Sequence, residues 1–279
     1  LKFGMKAGII GLGLMGGSLG LALQEWGRFK SVIGYDHNAL HAKLALTLGL
    51  VDECVGFEKI LECDVIFLAI PVEGIIGCLK KMTSIKKSAT IIDLGGAKAQ
   101  IIRNIPKSIR KNFIAAHPMC GTEFYGPKAS VKGLYENALV ILCDLEDSGT
   151  EQVEIAKEIF LGVKARLIKM KSNEHDTHVA YISHLPHVLS YALANSVLKQ
   201  NDPEMILSLA GGGFRDMSRL SKSSPLMWKD IFKQNRDNVL EAIKKCEKEI
   251  VQAKAWIENN DYESLAEWMA QANKLQEFM

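Results

Sequence analysis

The sequence lacks an excess of charge of either sign: 34 Lys and Arg stand against 32 Asp and Glu, a formal +2. With no excess of positive charge there is no electrostatic reason to expect nucleic acid or an anionic membrane as a partner, although a local basic site for a small anion stays open. Long apolar runs are absent too. The longest near the N-terminus is short and broken by glycines, so it reads as neither a signal-peptide core nor a membrane span. There is no CxxC pair. Cys54, Cys63, Cys78, Cys120, Cys143 and Cys246 are scattered along a chain too large to need covalent stapling, and they read as reduced thiols in a cytoplasmic setting. Leu1–Gly4 precede Met5 and read as an appended remnant.

What is present is ordinary globular material, with 48% hydrophobic and 24% charged residues. At about 150 residues per domain, one or two domains are expected. From Lys6 to about Lys171 short apolar runs alternate with amphipathic stretches. Strands are expected at Ala7–Ile10, Ser31–Tyr35, Val65–Ile70, Thr90–Leu94, Phe113–Ala116, Ala138–Cys143 and Ala165–Met170. Helices are expected at Gly16–Trp26, His41–Leu48, Gly74–Met82, Lys98–Ile105 and Glu151–Phe160. Such alternation builds βαβ units and a mainly parallel, doubly wound sheet. After Ser172 no convincing strand recurs. A long helical pattern, His175–Leu198, is interrupted by Pro186, and the tail from about Pro225 is almost wholly helical. There Val239, Ile243, Cys246, Ile250, Ala253 and Ile257 recur at spacings of four and three, a seam buried against other helices of the same or a second chain. The expected division is 1–171, an α/β domain, and 172–279, an all-α domain.

The first motif is Gly11-Leu12-Gly13-Leu14-Met15-Gly16. It follows an apolar strand and opens a helix, the context a dinucleotide fingerprint requires. Gly11 permits the tight turn, Gly13 lets the backbone approach a pyrophosphate, and Gly16 lets the helix pack closely on the sheet. The phosphates would then meet the unpaired N–H groups at the helix N-terminus. Asp36 ends the second strand, placed to accept hydrogen bonds from the ribose hydroxyls; a carboxylate there repels a 2′-phosphate, which favours NAD over NADP. Ile70-Pro71-Val72 fits the strand end and loop that flank the far end of the dinucleotide, because Pro71 cannot continue the ladder. The first domain is therefore expected to be of Rossmann type.

His37 and His41 read as incidental loop and surface residues. His117 begins His117-Pro118-Met119-Cys120-Gly121-Thr122-Glu123 at the end of a strand, where active sites of open parallel sheets lie. Pro118 stiffens its backbone, and an imidazole with an ordinary pKa of about 6.5 suits proton abstraction from a hydroxyl while hydride leaves the same carbon. The alternative is a histidine in a polar loop. His184 and His187 share one helix face, with Pro186 between them freeing the carbonyl of Ile182 and kinking the helix. A metal site and an anion site compete there. No HExxH occurs and no helical carboxylate sits at ligand spacing, so a metal-free polar pocket is expected. Gly211-Gly212-Gly213-Phe214-Arg215-Asp216-Met217-Ser218-Arg219 combines glycines that allow close backbone approach with guanidinium groups suited to a carboxylate; alone it would be a helix–helix turn with surface arginines.

Over nearly its whole length the chain resembles the prephenate dehydrogenase family, within the wider prephenate/arogenate dehydrogenases. The resemblance rests on the glycine motif through Ser18, Gly34-Tyr35-Asp36-His37-Asn38, the His117–Glu123 segment, Ser183-His184-Leu185-Pro186-His187, Gly211–Asp216 and Pro225-Leu226-Met227-Trp228, in this order and spacing. It implies NAD-dependent oxidative decarboxylation of prephenate to 4-hydroxyphenylpyruvate in tyrosine biosynthesis. By the same resemblance His117 is the catalytic histidine on the ring hydroxyl, Arg219 binds a substrate carboxylate, and His187 lies near the pyruvyl side chain. Thr122, Glu123, Gly212, Asp216 and Trp228 line or gate the pocket, Asp176 stands behind it, and the C-terminal helices form a homodimer core. One departure is that Gly96 occupies the place where the family often carries a serine beside the catalytic histidine. His187 leans the reading towards prephenate, since members preferring arogenate often lack it. Rival readings are a 3-hydroxyacid dehydrogenase or imine reductase on the same scaffold, and a non-catalytic NAD-binding regulatory protein.

Overall fold

The computed structural model describes residue 1, residues 4–83 and residues 85–278; the reading of Leu1–Gly4 as appended falls in part on residues 2 and 3, outside the described residues. Eight strands form one sheet: β1 (Lys6–Ile10), β2 (Ser31–Tyr35), β3 (Glu53–Cys54), β4 (Val65–Leu68), β5 (Thr90–Asp93), β6 (Phe113–Pro118), β7 (Leu139–Cys143) and β8 (Arg166–Met170). The helices are α1 (Leu14–Trp26), α2 (Ala39–Thr47), α3 (Phe57–Ile60), α4 (Val72–Lys81), α5 (Ala99–Arg103), α6 (Thr150–Gly162), α7 (Ser172–Val179), α8 (Leu185–Leu198), α9 (Pro203–Ser208), α10 (Gly212–Ser218), α11 (Pro225–Gln234), α12 (Arg236–Glu258) and α13 (Tyr262–Asn273).

The strand order is β3-β2-β1-β4-β5-β6-β7-β8, parallel from β3 to β6; β7 runs against β6, and β8 runs parallel to β7. The chain leaves β1 towards β2 and β3, then returns to lay β4 on the other side of β1. The carboxyl ends of β1 and β4 thus flank the switch point at which open α/β sheets bind ligands. Strands buried on both faces must be apolar at every position, which is why they read as continuous runs. Ile9, Phe67, Ile92 and Ile114 face one core with Leu19, Leu23 and Phe160; Ile10, Ile66, Ile91 and Phe113 face the other with Ile60, Ile75, Leu79 and Ile101. β3 was not expected: two residues are too few to show a period. Three helices begin two residues earlier than expected, α1 at Leu14, α2 at Ala39 and α4 at Val72.

The expected kink before Pro186 takes a specific form. Between α7 and α8 the residues Ala180–His184 form a π-turn, one turn ahead of the proline that has no N–H to give. Among the described residues no strand follows Met170, and no helix is long and apolar enough to cross a membrane.

The chain divides into two compact units, Leu1–Asn235 and Arg236–Met279, so the unit holding the sheet continues through α11. Within the second unit Trp268 Nε1 donates to Glu249 Oε2 at 2.8 Å, and the Trp256 and Trp268 rings lie 6.3 Å apart. On the expected seam of α12, Val239 is buried and Ile243, Cys246 and Ala253 are half-buried, whereas Ile250 and Ile257 are 56% and 54% exposed.

Candidate active site

The glycine turn is built as its spacing requires. Gly11 sits at φ +92°, and a Cβ there would stand 2.4 Å from the Ala69 carbonyl oxygen. A Cβ on Gly16 would fall 1.8 Å from the Gly11 carbonyl oxygen, so α1 can approach β1 only as glycine. Gly13, the N-cap of α1, is different: the nearest atom to its Cβ position is Gly126 N at 3.9 Å, which leaves room for a phosphate group above the turn. Asp36 Oδ2 accepts from Leu12 N and its Oδ1 from Asn38 N, both at 2.9 Å. Each oxygen keeps a second lone pair, so both can still accept from a ribose. His37 and His41 lie within 3.5 and 3.8 Å of this carboxylate. Pro71 caps α4, and Ile70 packs its Cγ2 against the Gly11 position. The segment after Glu123 closes over α1: Val131 N donates to Ser18 Oγ at 2.8 Å and Tyr135 OH to the Met15 carbonyl at 3.0 Å. The tight glycine turn, the acceptor Asp36 and the open face at Gly13 fit a dinucleotide.

His117 is the penultimate residue of β6, at its carboxyl end as expected from its sequence position. Its Nδ1 is 2.7 Å from His175 Nε2, and His175 Nδ1 is 2.8 Å from Asp176 Oδ1. Asp176 also accepts Lys98 N at 2.7 Å and Ala99 N at 2.9 Å, at the start of α5. Beneath these lies a fully buried ion pair, Lys98 with Asp93. Lys98 Nζ donates to the Ala116 carbonyl at 2.6 Å, and Asp93 Oδ1 accepts Ala116 N at 3.3 Å, so the residue ahead of His117 is clamped on both sides. Burial raises the Asp93 carboxyl above its usual range against the pull of Lys98. Burial, followed by the nearby His175 ring and the Lys98 ammonium, holds His117 well below the ordinary histidine value. Burial lowers His175 as well, against its bond to Asp176.

The π-turn ends at His184, which is buried and bonded to the Gly96 backbone; Asn235 Nδ2 lies 3.2 Å from its Nδ1 and donates to the Asp176 carbonyl at 2.7 Å. Burial pushes His184 down to about 4. On α11, Trp228 stands edge-on to His184 and stacks on His187, with ring centres 5.8 and 3.5 Å away. His187 Nδ1 is 2.9 Å from the Ser183 carbonyl; burial lowers its pKa, with the Arg219 charge adding to the effect. Arg219 Nη1 in turn donates to Glu123 Oε2 at 2.9 Å. Neighbouring groups therefore run from His117 past Gly96 to His184, Trp228 and His187, whose ring feels the charge of Arg219, itself paired with Glu123. A Cβ on Gly96 would stand 3.9 Å from His117 Nε2 and 3.7 Å from Ile231 Cδ1.

Other expected residues are exposed. Thr122 is exposed and its Oγ1 accepts Phe124 N at 3.2 Å. Gly212 and Asp216 are exposed on α10, which packs on α8. No chain atom lies within 4 Å of a Cβ on Gly211, Gly212 or Gly213. The close approach expected of these glycines is thus not made by the chain's own packing. Among the described residues no cluster of His, Cys, Asp and Glu could hold a metal. Sequence reasoning missed His175, Lys98, Asp93 and Asn235. The adjacent His175-Asp176 pair, and an acid and a lysine five residues apart across two glycines, were the available signals.

Two family models match the chain: "Prephenate dehydrogenase, nucleotide-binding domain" over residues 19–169 and "Prephenate dehydrogenase, dimerization domain" over residues 171–271. A prephenate dehydrogenase of Bacillus subtilis is 31% identical over 264 residues, covering 92% of this chain and 71% of the relative. The crystal structure of prephenate dehydrogenase from Aquifex aeolicus in complex with hydroxyphenyl propionate and NAD+ superposes with a TM-score of 0.92 at 31% identity, covering 100% of this chain and 99% of that one. Synechocystis arogenate dehydrogenase superposes with a TM-score of 0.78 at 27% identity, covering 98% and 99%.

Proposed function

The chain belongs to the prephenate dehydrogenase family, NAD-dependent dehydrogenases of tyrosine synthesis, and from that premise we propose that it converts prephenate to 4-hydroxyphenylpyruvate and CO2 with reduction of NAD. The observation that carries this reading is the series of neighbouring groups from His117 past Gly96, His184 and Trp228 to His187, whose ring feels the charge of Arg219, so that a proton acceptor and a guanidinium suited to a carboxylate belong to one neighbourhood.

The bound nicotinamide supplies a hydride acceptor. Gly11, Leu12, Gly13, Leu14, Met15 and Gly16 cradle the pyrophosphate, Asp36 takes the ribose hydroxyls, and Ile70, Pro71 and Val72 border the nicotinamide end. Prephenate is a dianion with a hydroxyl on its ring. Arg219 binds one carboxylate through charge-assisted hydrogen bonds. His187, braced on Trp228, borders the pyruvyl arm, and Thr122, Glu123, Gly212 and Asp216 line the entrance. Gly96 leaves open the space beside His117 Nε2. His117 takes the proton of the ring hydroxyl as hydride leaves the carbon that bears it. The bond to the ring carboxylate then breaks, its electron pair completes the aromatic ring, and the proton returns from His117 to the phenolic oxygen. No step needs a metal.

The same premise supports residues 1–171 as the nucleotide-binding part and 172–279 as the part that completes the substrate site and pairs two copies into a homodimer. The family model described as a dimerization domain and the half-exposed Ile250 and Ile257 on α12 support the pairing. Six free thiols support a cytoplasmic location. NADH formation measured with prephenate and with arogenate, each with NAD and NADP, tests the reading. Turnover of prephenate with NAD is expected. Turnover of arogenate alone would assign the activity of the Synechocystis neighbour instead, and NAD binding without turnover of either would overturn the reading.

A further inference from the structure

We propose that His175, backed by Asp176, is a positioning residue that fixes the tautomer of His117, so that His117 Nε2 presents a lone pair to the substrate and Nδ1 carries the proton. The inference rests on the reading of His117 as the proton acceptor and names what prepares it for that role.

The hydrogen-bond relay runs outward from Asp176. Its Oδ1 accepts Lys98 N and its Oδ2 accepts Ala99 N, at 2.7 and 2.9 Å. Main-chain amides can only donate, so this carboxylate is engaged as an acceptor on both oxygens. His175 Nδ1, 2.8 Å from Oδ1, must therefore donate. A neutral imidazole has one N–H, and burial keeps His175 neutral. Its Nε2 is then an acceptor. That acceptor lies 2.7 Å from His117 Nδ1, which must donate in turn. His117 is also held neutral by burial, so its Nε2 has no proton. This nitrogen is the one beside Gly96.

Each link has its own support. Asn235 Nδ2 holds the Asp176 carbonyl at 2.7 Å, and Lys98 and Asp93 hold Ala116 from both sides. Free histidine in water favours the opposite tautomer, with the proton on Nε2, which could not accept from a hydroxyl. Once Nε2 takes a proton, Nδ1–H goes on donating to His175, so no group in the chain has to reorient during the reaction.

The test is a long-range ¹H–¹⁵N spectrum of the ¹⁵N-labelled full chain without substrate. His117 is expected to show a protonated Nδ1 and a bare Nε2; a protonated Nε2 overturns the proposal. This spectrum needs no turnover, so it can fail while prephenate is oxidised, or succeed while prephenate proves the wrong substrate. Two variants extend the test. Asp176→Ala removes the acceptor of the His175 Nδ1–H and is expected to free both rings to take the other tautomer. His175→Ala removes the acceptor behind His117. Each is expected to lower kcat by about 10- to 10⁴-fold with the NAD Kd within about twofold. If His175→Ala folds and keeps kcat within about threefold, the proposal falls; if it does not fold, the spectrum of the unaltered chain decides.

Discussion

Arg219 Nη1 donates to Glu123 Oε2 over 2.9 Å, so the guanidinium assigned to a substrate carboxylate already holds a carboxylate of its own chain. Glu123 follows His117 by six residues on the segment leaving β6, and Arg219 begins the turn after α10. An incoming anion competes with Glu123 for the charge of this guanidinium. The pair is accessible to solvent, which keeps the contest mild. Glu123→Gln is expected to lower the prephenate KM by roughly two- to fivefold at low salt, with the gain shrinking as salt rises. Steady-state kinetics at two ionic strengths check this, and a raised KM would mean that Glu123 helps to hold the substrate.

Removal of the guanidinium acts in the opposite direction. Arg219→Ala deletes a charge-assisted contact to a carboxylate and is expected to raise the prephenate KM by about ten- to a hundredfold, with a smaller change in kcat. An unchanged KM would move the carboxylate site elsewhere.

His117→Asn keeps a polar group at the end of β6 but removes the basic nitrogen. Turnover is expected to fall by about 10²–10⁴-fold, with the NAD Kd little changed because the glycine turn and Asp36 are untouched. Near-normal turnover would take the proton-accepting role away from His117.

Strands buried on both faces were legible because their apolar runs are continuous, as at Val65–Leu68 and Thr90–Asp93. The glycine turn was legible because backbone geometry demands glycine at Gly11 and Gly16. His117 and Arg219 stood out through their segments. The support behind His117 did not: His175 meets it across 58 positions, and Lys98 N meets Asp176 across 78. Neither separation leaves a local pattern. Lys98 in particular read as the start of a helix, where a lysine is usually solvated, yet it is fully buried because Asp93 and the Ala116 carbonyl receive its ammonium. The π-turn was foreshadowed only as a kink, since a missing N–H says that a carbonyl is freed and not how the helix adapts.

Gly96 allows a direct gain-of-function test. A Cβ there would meet only ordinary contacts, with Ile231 Cδ1 at 3.7 Å and His117 Nε2 at 3.9 Å, and the backbone is not in the left-handed region. Gly96→Ser therefore fits without strain and brings a hydroxyl beside His117 Nε2. A single added hydrogen bond of ordinary strength is expected to raise kcat by about two- to tenfold, read in single-turnover hydride transfer. A fall in kcat would show that the serine hydroxyl competes with the substrate for Nε2.

Protons supply the last test, through stability. His117, His175 and His184 are all held below the ordinary histidine value by burial, His184 at about 4. In the unfolded chain the same side chains titrate near about 6.5. Between these values the unfolded chain binds protons that the folded chain refuses, so stability rises with pH there. The contribution of the three rings is thus fully present above about pH 6.5 and is lost as pH falls through their lowered folded-state values, about 4 for His184. Asp93 works in the opposite sense, because burial raises its carboxyl, but it is one group against three. The midpoint of thermal unfolding is expected to be lower at pH 5 than at pH 7.5, and His184→Gln is expected to narrow the gap by removing one of the three titrations. Equal midpoints would mean that these imidazoles are charged or solvated in the folded chain, and neutral His117 would lose its physical basis.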